Sequence, residues 1–240
     1  ITFITIAIFG FKLNNEKLSD PEKEKVLLEI VKYVVERGHY SSIQIDDDLS
    51  LKIFDDFINK LDPQKRFFTL SDIKELDRFK YKIDDQIKAY DLEFFEEIHD
   101  RYRSRIAEAK IFVEKAFENN FDFNDKEYID LDIDSIPFSS DKNQLYERWR
   151  KQIKYSILDI ISQKNSSDSI DDNEIMMNAI STVKKSTNDF FNYANEIERD
   201  DWFSVFLNSF VGQFDPHTFY FKPDDKEKFE NFINMGRLKS

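Results

Sequence analysis

Phe210-Val211-Gly212-Gln213-Phe214-Asp215-Pro216-His217-Thr218-Phe219-Tyr220-Phe221-Lys222-Pro223 is the stretch on which the reading of this chain turns. An apolar helical pattern runs into Phe214. Pro216 lacks an N–H and biases Asp215 away from the helical region, so the helix is expected to end there. Phe219, Tyr220 and Phe221 are expected as a short extended aromatic run. Beyond Pro223, Asp224 with Glu227 three residues on has the pattern of a capping box that opens another helix. The expected unit is helix, elbow, helix.

The same unit occurs earlier. Phe57 to Asp72 reads F-I-N-K-L-D-P-Q-K-R-F-F-T-L-S-D, and Phe210 to Asp225 reads F-V-G-Q-F-D-P-H-T-F-Y-F-K-P-D-D. Asp62-Pro63 aligns with Asp215-Pro216, and Phe67-Phe68 with Tyr220-Phe221. Two copies that are not in tandem indicate one elbow used twice rather than a solenoid. From the residues alone, both copies are Asp-Pro turns that seat aromatic side chains in a core.

Composition narrows the fold. The chain has 240 residues, enough for one large or two small domains. Its 25 Phe supply a substantial core, while 4 Gly and 5 Pro are too few for the many tight turns of an all-β protein. The reading is all-α. A net charge of −13 opposes nucleic-acid binding, which requires a basic face. Without cysteine there is no disulfide, thiolate metal site or cysteine nucleophile.

Ile1–Phe11 is apolar but shorter than the roughly 20 residues a spanning helix needs. It matches the apolar region of a secretory leader, the alternative being a buried strand. The next helix starts at Ser19-Asp20-Pro21 and stops at Gly38, with Leu27, Ile30, Val31 and Val34 inward. A loop from His39-Tyr40 leads to Asp46-Asp47-Asp48, which caps a helix carrying Leu49, Ile53, Phe57 and Leu61. After the first elbow, Ile73, Leu76, Phe79, Ile83 and Ile87 predict one helix from about Asp72, with a break near Tyr90-Asp91. Spacings of three and four from Leu92 through Ile98, Ile106 and Ala116 predict a long helix. Residues 119–140 are an irregular connection. Further helices carry Leu145, Trp149, Ile153, Ile157 and Ile160, then, past the polar Ser166–Ser169 linker, Met176, Ile180, Val183, Thr187, Phe190 and Ala194. Another, from about Asp200, carries Trp202, Phe206 and Phe210, and the last spans Asp225 to Met235.

Candidate chemistry is thin. Asp130-x-Asp132-x-Asp134 resembles half of a calcium loop, but Ser135 stands where Gly is required and Asp141 where Glu is. Three Ser-x-x-Lys matches, at Ser71, Ser139 and Ser181, lack the companion motifs of a Ser/Lys site, and Ser71 fits helix capping. His39, His99 and His217 are too scattered to suggest a metal site. Catalytic, cofactor-binding and metal-binding residues are each assigned as none.

Asp215-Pro216-His217-Thr218 with Tyr220-Phe221 and Pro223 resembles the sequence before the PDZ domain in tail-specific proteases, the carboxy-terminal processing serine peptidases of the Prc/Tsp type. The likeness continues upstream. His39-Tyr40 with Asp47-Asp48 and Leu49-Ser50 is similar to that family's first inter-helix segment. Leu61-Asp62-Pro63 with Lys65 and Phe67-Phe68 is similar to its first elbow, and Leu145 to Lys151 to its tryptophan-bearing helix around Trp149. Phe229 to Leu238 is similar to the run into the PDZ domain. Phe219, and Lys239-Ser240 in place of Glu-Gly, depart from the pattern.

The resemblance implies a helical N-terminal domain over 19–223, preceded at 1–18 by a signal-peptide remnant or membrane anchor. It implies a helix at 224–240 leading into a PDZ domain beyond the chain. The whole protein would be an exported periplasmic endopeptidase that cleaves proteins with apolar C-termini through a Ser/Lys dyad, also beyond Ser240. This region would help enclose substrate and, as in some members, dock an adaptor lipoprotein. The alternatives from the residues are a stand-alone helical interaction module and, resting only on scattered His and carboxylates, a helical metalloenzyme.

Overall fold

Helix α1 forms at Asp20–Gly38, with Pro21 and the acidic Asp20 and Glu22 in its first turn, where a missing N–H costs nothing and the helix dipole favours negative charge. We describe the protein from a computed structural model, which describes residues 20–38, 44–119, 121–132, 135–163, 172–215 and 217–222. The apolar stretch Ile1–Phe11, His39-Tyr40, Asp134, Ser166–Ser169, Pro216, Pro223 and the expected helix Asp225 to Met235 lie outside the described residues.

Eight α-helices follow in order among the described residues: α1, α2 (Asp47–Leu61), α3 (Leu70–Leu76), α4 (Ile83–Ala89), α5 (Glu93–Glu118), α6 (Lys142–Gln163), α7 (Asp172–Glu196) and α8 (Arg199–Val211). The fold is all-α, with one isolated parallel bridge between Thr69 and Ser139. No helix among the described residues is long and apolar enough to cross a membrane.

The starts of α2 and α3 have local causes. The Leu49 N–H donates to Asp46 Oδ1 at 3.1 Å, which starts α2. α3 begins two residues before the expected Asp72. Thr69 is its N-cap and Asp72 closes a reciprocal capping box, while the exposed Ser71 bonds only Glu75. The expected helix through Ile87 is instead divided into α3, a 3-10 turn at Asp77–Phe79, and α4. Spacings of three and four survive that break. What starts α4 is tertiary: Ser50 Oγ accepts the Asp84 N–H at 2.7 Å and bonds Asp84 Oδ1 at 2.7 Å. Tyr90 in the left-handed region, φ 56°, ends α4 where the break was expected.

The chain forms two compact units, passing between them at Lys60–Leu61, Asp77–Arg78, Glu97–Ile98 and Ile197–Glu198. Unit one holds α1, α4, α8, nearly all of α2 and the start of α5. Its core is a phenylalanine cluster. Phe57 meets Phe206 edge-on at 5.5 Å between ring centres, Phe95 meets Phe203 at 5.0 Å, and Phe54 stacks on Phe94 at 5.7 Å. α1 packs on α8 and α4. Its buried line is Glu24, Leu28, Val31 and Val35, rotated from the expected one, so that Leu27, Ile30 and Val34 are half-buried. The rotation brings Glu24 inward to meet Arg199, whose Nε and Nη2 reach its two oxygens at 2.8 and 2.7 Å. Burial pushes the Glu24 carboxyl up, and Arg199 opposes that shift.

Unit two holds α3, α6, α7 and the rest of α5. α6 packs on α7. Leu145, Trp149, Ile153 and Ile157 of α6 are buried as expected, and Ile160 is half-buried. On α7 the buried residues are Ala179, Val183 and Phe191; of the expected stripe Met176, Ile180, Val183, Thr187, Phe190 and Ala194, Val183 is among them. Arg105 of α5 reaches Asp72 with Nε at 2.9 Å and Nη2 at 2.8 Å. Burial alone would raise the Asp72 carboxyl, but Arg105 and the Thr69 N–H and hydroxyl hold it low.

Candidate interaction surface

The first elbow is built around one carboxylate. Asp62 follows α2 and is buried. Its Oδ1 accepts the Arg66 N–H at 2.8 Å, and its Oδ2 accepts the Phe67 and Phe68 N–H groups, each at 2.9 Å. Its own carbonyl accepts the Lys65 N–H at 3.0 Å, with Lys65 at φ 50°. One side chain thereby satisfies the backbone of a turn that would otherwise bury bare donors. Burial pushes the Asp62 carboxyl up; the three N–H groups and the Arg66 charge pull the other way.

This turn aims Phe67, Phe68 and Arg66. Phe67 meets Tyr102 edge-on at 5.3 Å and Trp149 at 5.7 Å. Trp149 Nε1 donates to the Arg66 carbonyl at 2.8 Å, which ties α6 to the elbow. The Arg66 guanidinium sits 4.7 Å from the Trp149 ring and 4.8 Å from the Phe190 ring, within cation–π range. Arg148 donates to the carbonyls of Lys65 and Pro137. Burial lowers the pKa of both arginines.

Three hollows adjoin along α6, all within unit two. One of about 400 Å³ is lined by Arg66, Trp149, Gln152, Tyr155, Val183 and Phe190 among others. A second, about 150 Å³, shares Arg66, Trp149 and Gln152 and adds Gln64, Leu131 and Arg148. A third, about 100 Å³, shares Ile129 with the second and Tyr155 with the first, and adds Tyr128 and Leu158. The shared residues make them one continuous relief. Apolar side chains stand open along it: Tyr128 is 91% exposed and Leu131 59%. Its far edge is pinned by Glu127, which Arg150 and Lys154 grip and hold down to about 2.

The second elbow, in unit one, is built differently. α8 stops at Val211, three residues before the expected Phe214, and Gly212–Phe214 form a turn closed by Phe214 N–H to the Val211 carbonyl at 3.1 Å. Asp215 is half-buried. Its Oδ1 takes the His217 N–H at 2.9 Å and faces His217 Nδ1 at 3.1 Å, while His217 is exposed. Asn208 clamps the following strand-like run, its Oδ1 accepting the Tyr220 N–H at 2.7 Å and its Nδ2 donating to the Tyr220 carbonyl at 3.1 Å. Thr218 and Tyr220 are buried, but Phe221 is 50% exposed.

The family model for the tail specific protease N-terminal domain matches residues 30–224, most of the chain and both elbows. The chain belongs to this family. It is 28% identical over 206 residues to the tail-specific protease of Haemophilus influenzae, a match covering 83% of this chain and 28% of that relative. The chain thus spans under a third of the length of the curated relative it matches.

Within this tail-specific protease N-terminal domain, the residues singled out in the sequence fall into separate places. Asp62, Phe67, Phe68 and Trp149 come together in unit two, with Pro63 exposed at the turn. Asp215, His217, Thr218, Tyr220 and Phe221 form the second elbow in unit one. Arg66, Arg148 and Asn208 emerge only from the structure. Arg66 sits inside the first-elbow motif and Arg148 inside the Leu145 to Lys151 run, and only Arg148, next to Trp149, carried a sequence signal.

Proposed function

We propose that the chain is the N-terminal, non-catalytic region of an exported serine endopeptidase that processes proteins with apolar C-termini. The carrying observation is the match to the tail specific protease N-terminal domain across residues 30–224. The chain spans 28% of that relative, and the family resemblance leads us to expect a catalytic Ser/Lys dyad and a PDZ domain in the sequence beyond Ser240. The apolar Ile1–Phe11 stretch fits export to the periplasm, as a cleaved leader or as an anchor. The role of the helical region is to help enclose substrate and to dock protein partners, an adaptor lipoprotein among them. The relief along α6 is the surface we assign to docking, because it joins open apolar side chains to half-buried cations.

The test is cleavage of an apolar-tailed protein by this 240-residue chain and by the product of the full gene that encodes it. The fragment should leave the substrate intact and the full product should cut it. Cleavage by the fragment overturns the assignment, and so does a stop codon directly after Ser240, which would leave a stand-alone interaction module.

A further inference from the structure

Six arginines among the described residues are half-buried: Arg66, Arg101, Arg105, Arg148, Arg150 and Arg199. Four of them meet carboxylates, Arg101 and Arg105 at Asp72, Arg150 at Glu127 and Arg199 at Glu24. That is the ordinary outcome in a chain of net charge −13, where acids outnumber bases. Arg66 and Arg148 are the exceptions, and they line the same hollow together with Trp149. Arg148 bonds only carbonyls. The Arg66 guanidinium makes ring contacts and no hydrogen bond or ion pair with a described residue.

Neither Asp62 nor Asp130 fills the gap. Asp62 attracts both cations, yet its two oxygens are taken by three backbone N–H groups. Asp130 lines the hollow but is exposed, and its Oδ1 holds the Asp132 N–H. The Arg66 guanidinium lies over three rings, those of Phe67, Trp149 and Phe190, which accept none of the N–H donors that a guanidinium carries in its plane. A guanidinium that lines a hollow and has no carboxylate partner among the described residues is suited to a planar anion, which it can take bidentately.

We propose that Arg66 and Arg148, in the hollow they line with Trp149, form a subsite for an internal Asp or Glu side chain of a bound polypeptide segment. Tyr128, Leu131, Tyr155 and Leu158 receive the apolar residues on either side of it. The occupant is a passing chain rather than a chain end. The hollow runs into its neighbours on two sides, through Trp149 and Gln152 one way and Ile129 the other. A segment can therefore enter and leave, and no closed wall selects a terminus. The inference rests on the docking reading and supplies its partner chemistry.

The test uses the 240-residue chain and a panel of fluorescent peptides with both ends blocked. Each has Leu, Phe or Tyr around one central Glu, or around Gln in the matched twin, and binding is followed by fluorescence anisotropy. The Glu peptides should bind about tenfold tighter than their Gln twins, a difference of charge-assisted hydrogen bonding. Added salt should narrow that ratio. Arg66→Gln and Arg148→Gln should each bring it close to one, while Arg103→Gln, at an exposed site, should preserve it. Equal binding of Glu and Gln peptides by the unaltered chain overturns the carboxylate subsite and leaves the docking surface standing. Glu preference that survives both arginine variants overturns it as well. A second set of the same peptides with free C-termini controls for chain ends: Glu preference shown by that set and not by the blocked one reassigns the site to chain ends and overturns the proposal. Absence of binding across the whole panel overturns the subsite and the docking surface together. Because the Glu/Gln comparison needs only the unaltered chain, an unstable variant does not spare the proposal.

Discussion

The two Asp-Pro elbows share a sequence pattern and differ in how they are held. In the first, the carboxylate is the scaffold: buried Asp62 satisfies three consecutive backbone N–H groups and seats two fully packed phenylalanines. In the second, the aspartate has moved to the rim. Asp215 caps the N–H of exposed His217, and the side chain that organises the run is Asn208, on the helix before it. Of the aligned aromatic pairs, Phe67-Phe68 is buried throughout, while Tyr220 is buried and Phe221 half open. A repeated motif therefore carries a repeated turn but not a repeated energetic centre. That centre follows burial, which the surrounding helices decide.

Replacing the central group of each elbow should expose the difference. Asp62→Ala strips three N–H groups of their acceptor, two of them buried, and should cost about 3–5 kcal/mol. Asn208→Ala removes both bonds to Tyr220 and should cost about 1–3 kcal/mol. Asp215→Ala should cost only about 0.5–1 kcal/mol, the scale of a solvent-accessible cap. Urea unfolding midpoints at constant slope measure all three. If Asp215→Ala proves as damaging as Asp62→Ala, the two elbows are energetically equivalent and the contrast fails. If Asn208→Ala is silent, the clamp on Tyr220 holds nothing that packing does not already hold.

How much the sequence revealed varied with the kind of interaction. α5 was legible because Leu92 to Ala116 keep helical spacing without interruption and every one of those positions is buried. The split between α3 and α4 was not, since the apolar spacing passes through it unchanged and Ser50, a residue from another helix, sets the new start. α1 and α7 were found but rotated: Glu24 and Ala179 sit inside although neither reads as an apolar anchor. For the candidate surface, Trp149 and the first elbow were visible as motif residues. The roles of Arg66 and Arg148 were not. With 48 acidic residues in the chain, nothing in the order of residues tells which cations will be left without a carboxylate.

Asp62 also has a consequence for how the chain finds its structure. Its bond to the Phe68 N–H spans six residues, whereas the bond from Trp149 to the Arg66 carbonyl spans 83. Closing the longer loop costs about 2 kcal/mol more in chain entropy by the logarithmic scaling of loop length. The elbow can thus close on its own account early and present a preformed carbonyl for the tryptophan helix to find. Asp62→Asn should accordingly slow refolding more than it speeds unfolding, and Trp149→Phe should do the reverse. Stopped-flow chevrons that assign both effects to the unfolding limb would remove the elbow from the folding nucleus.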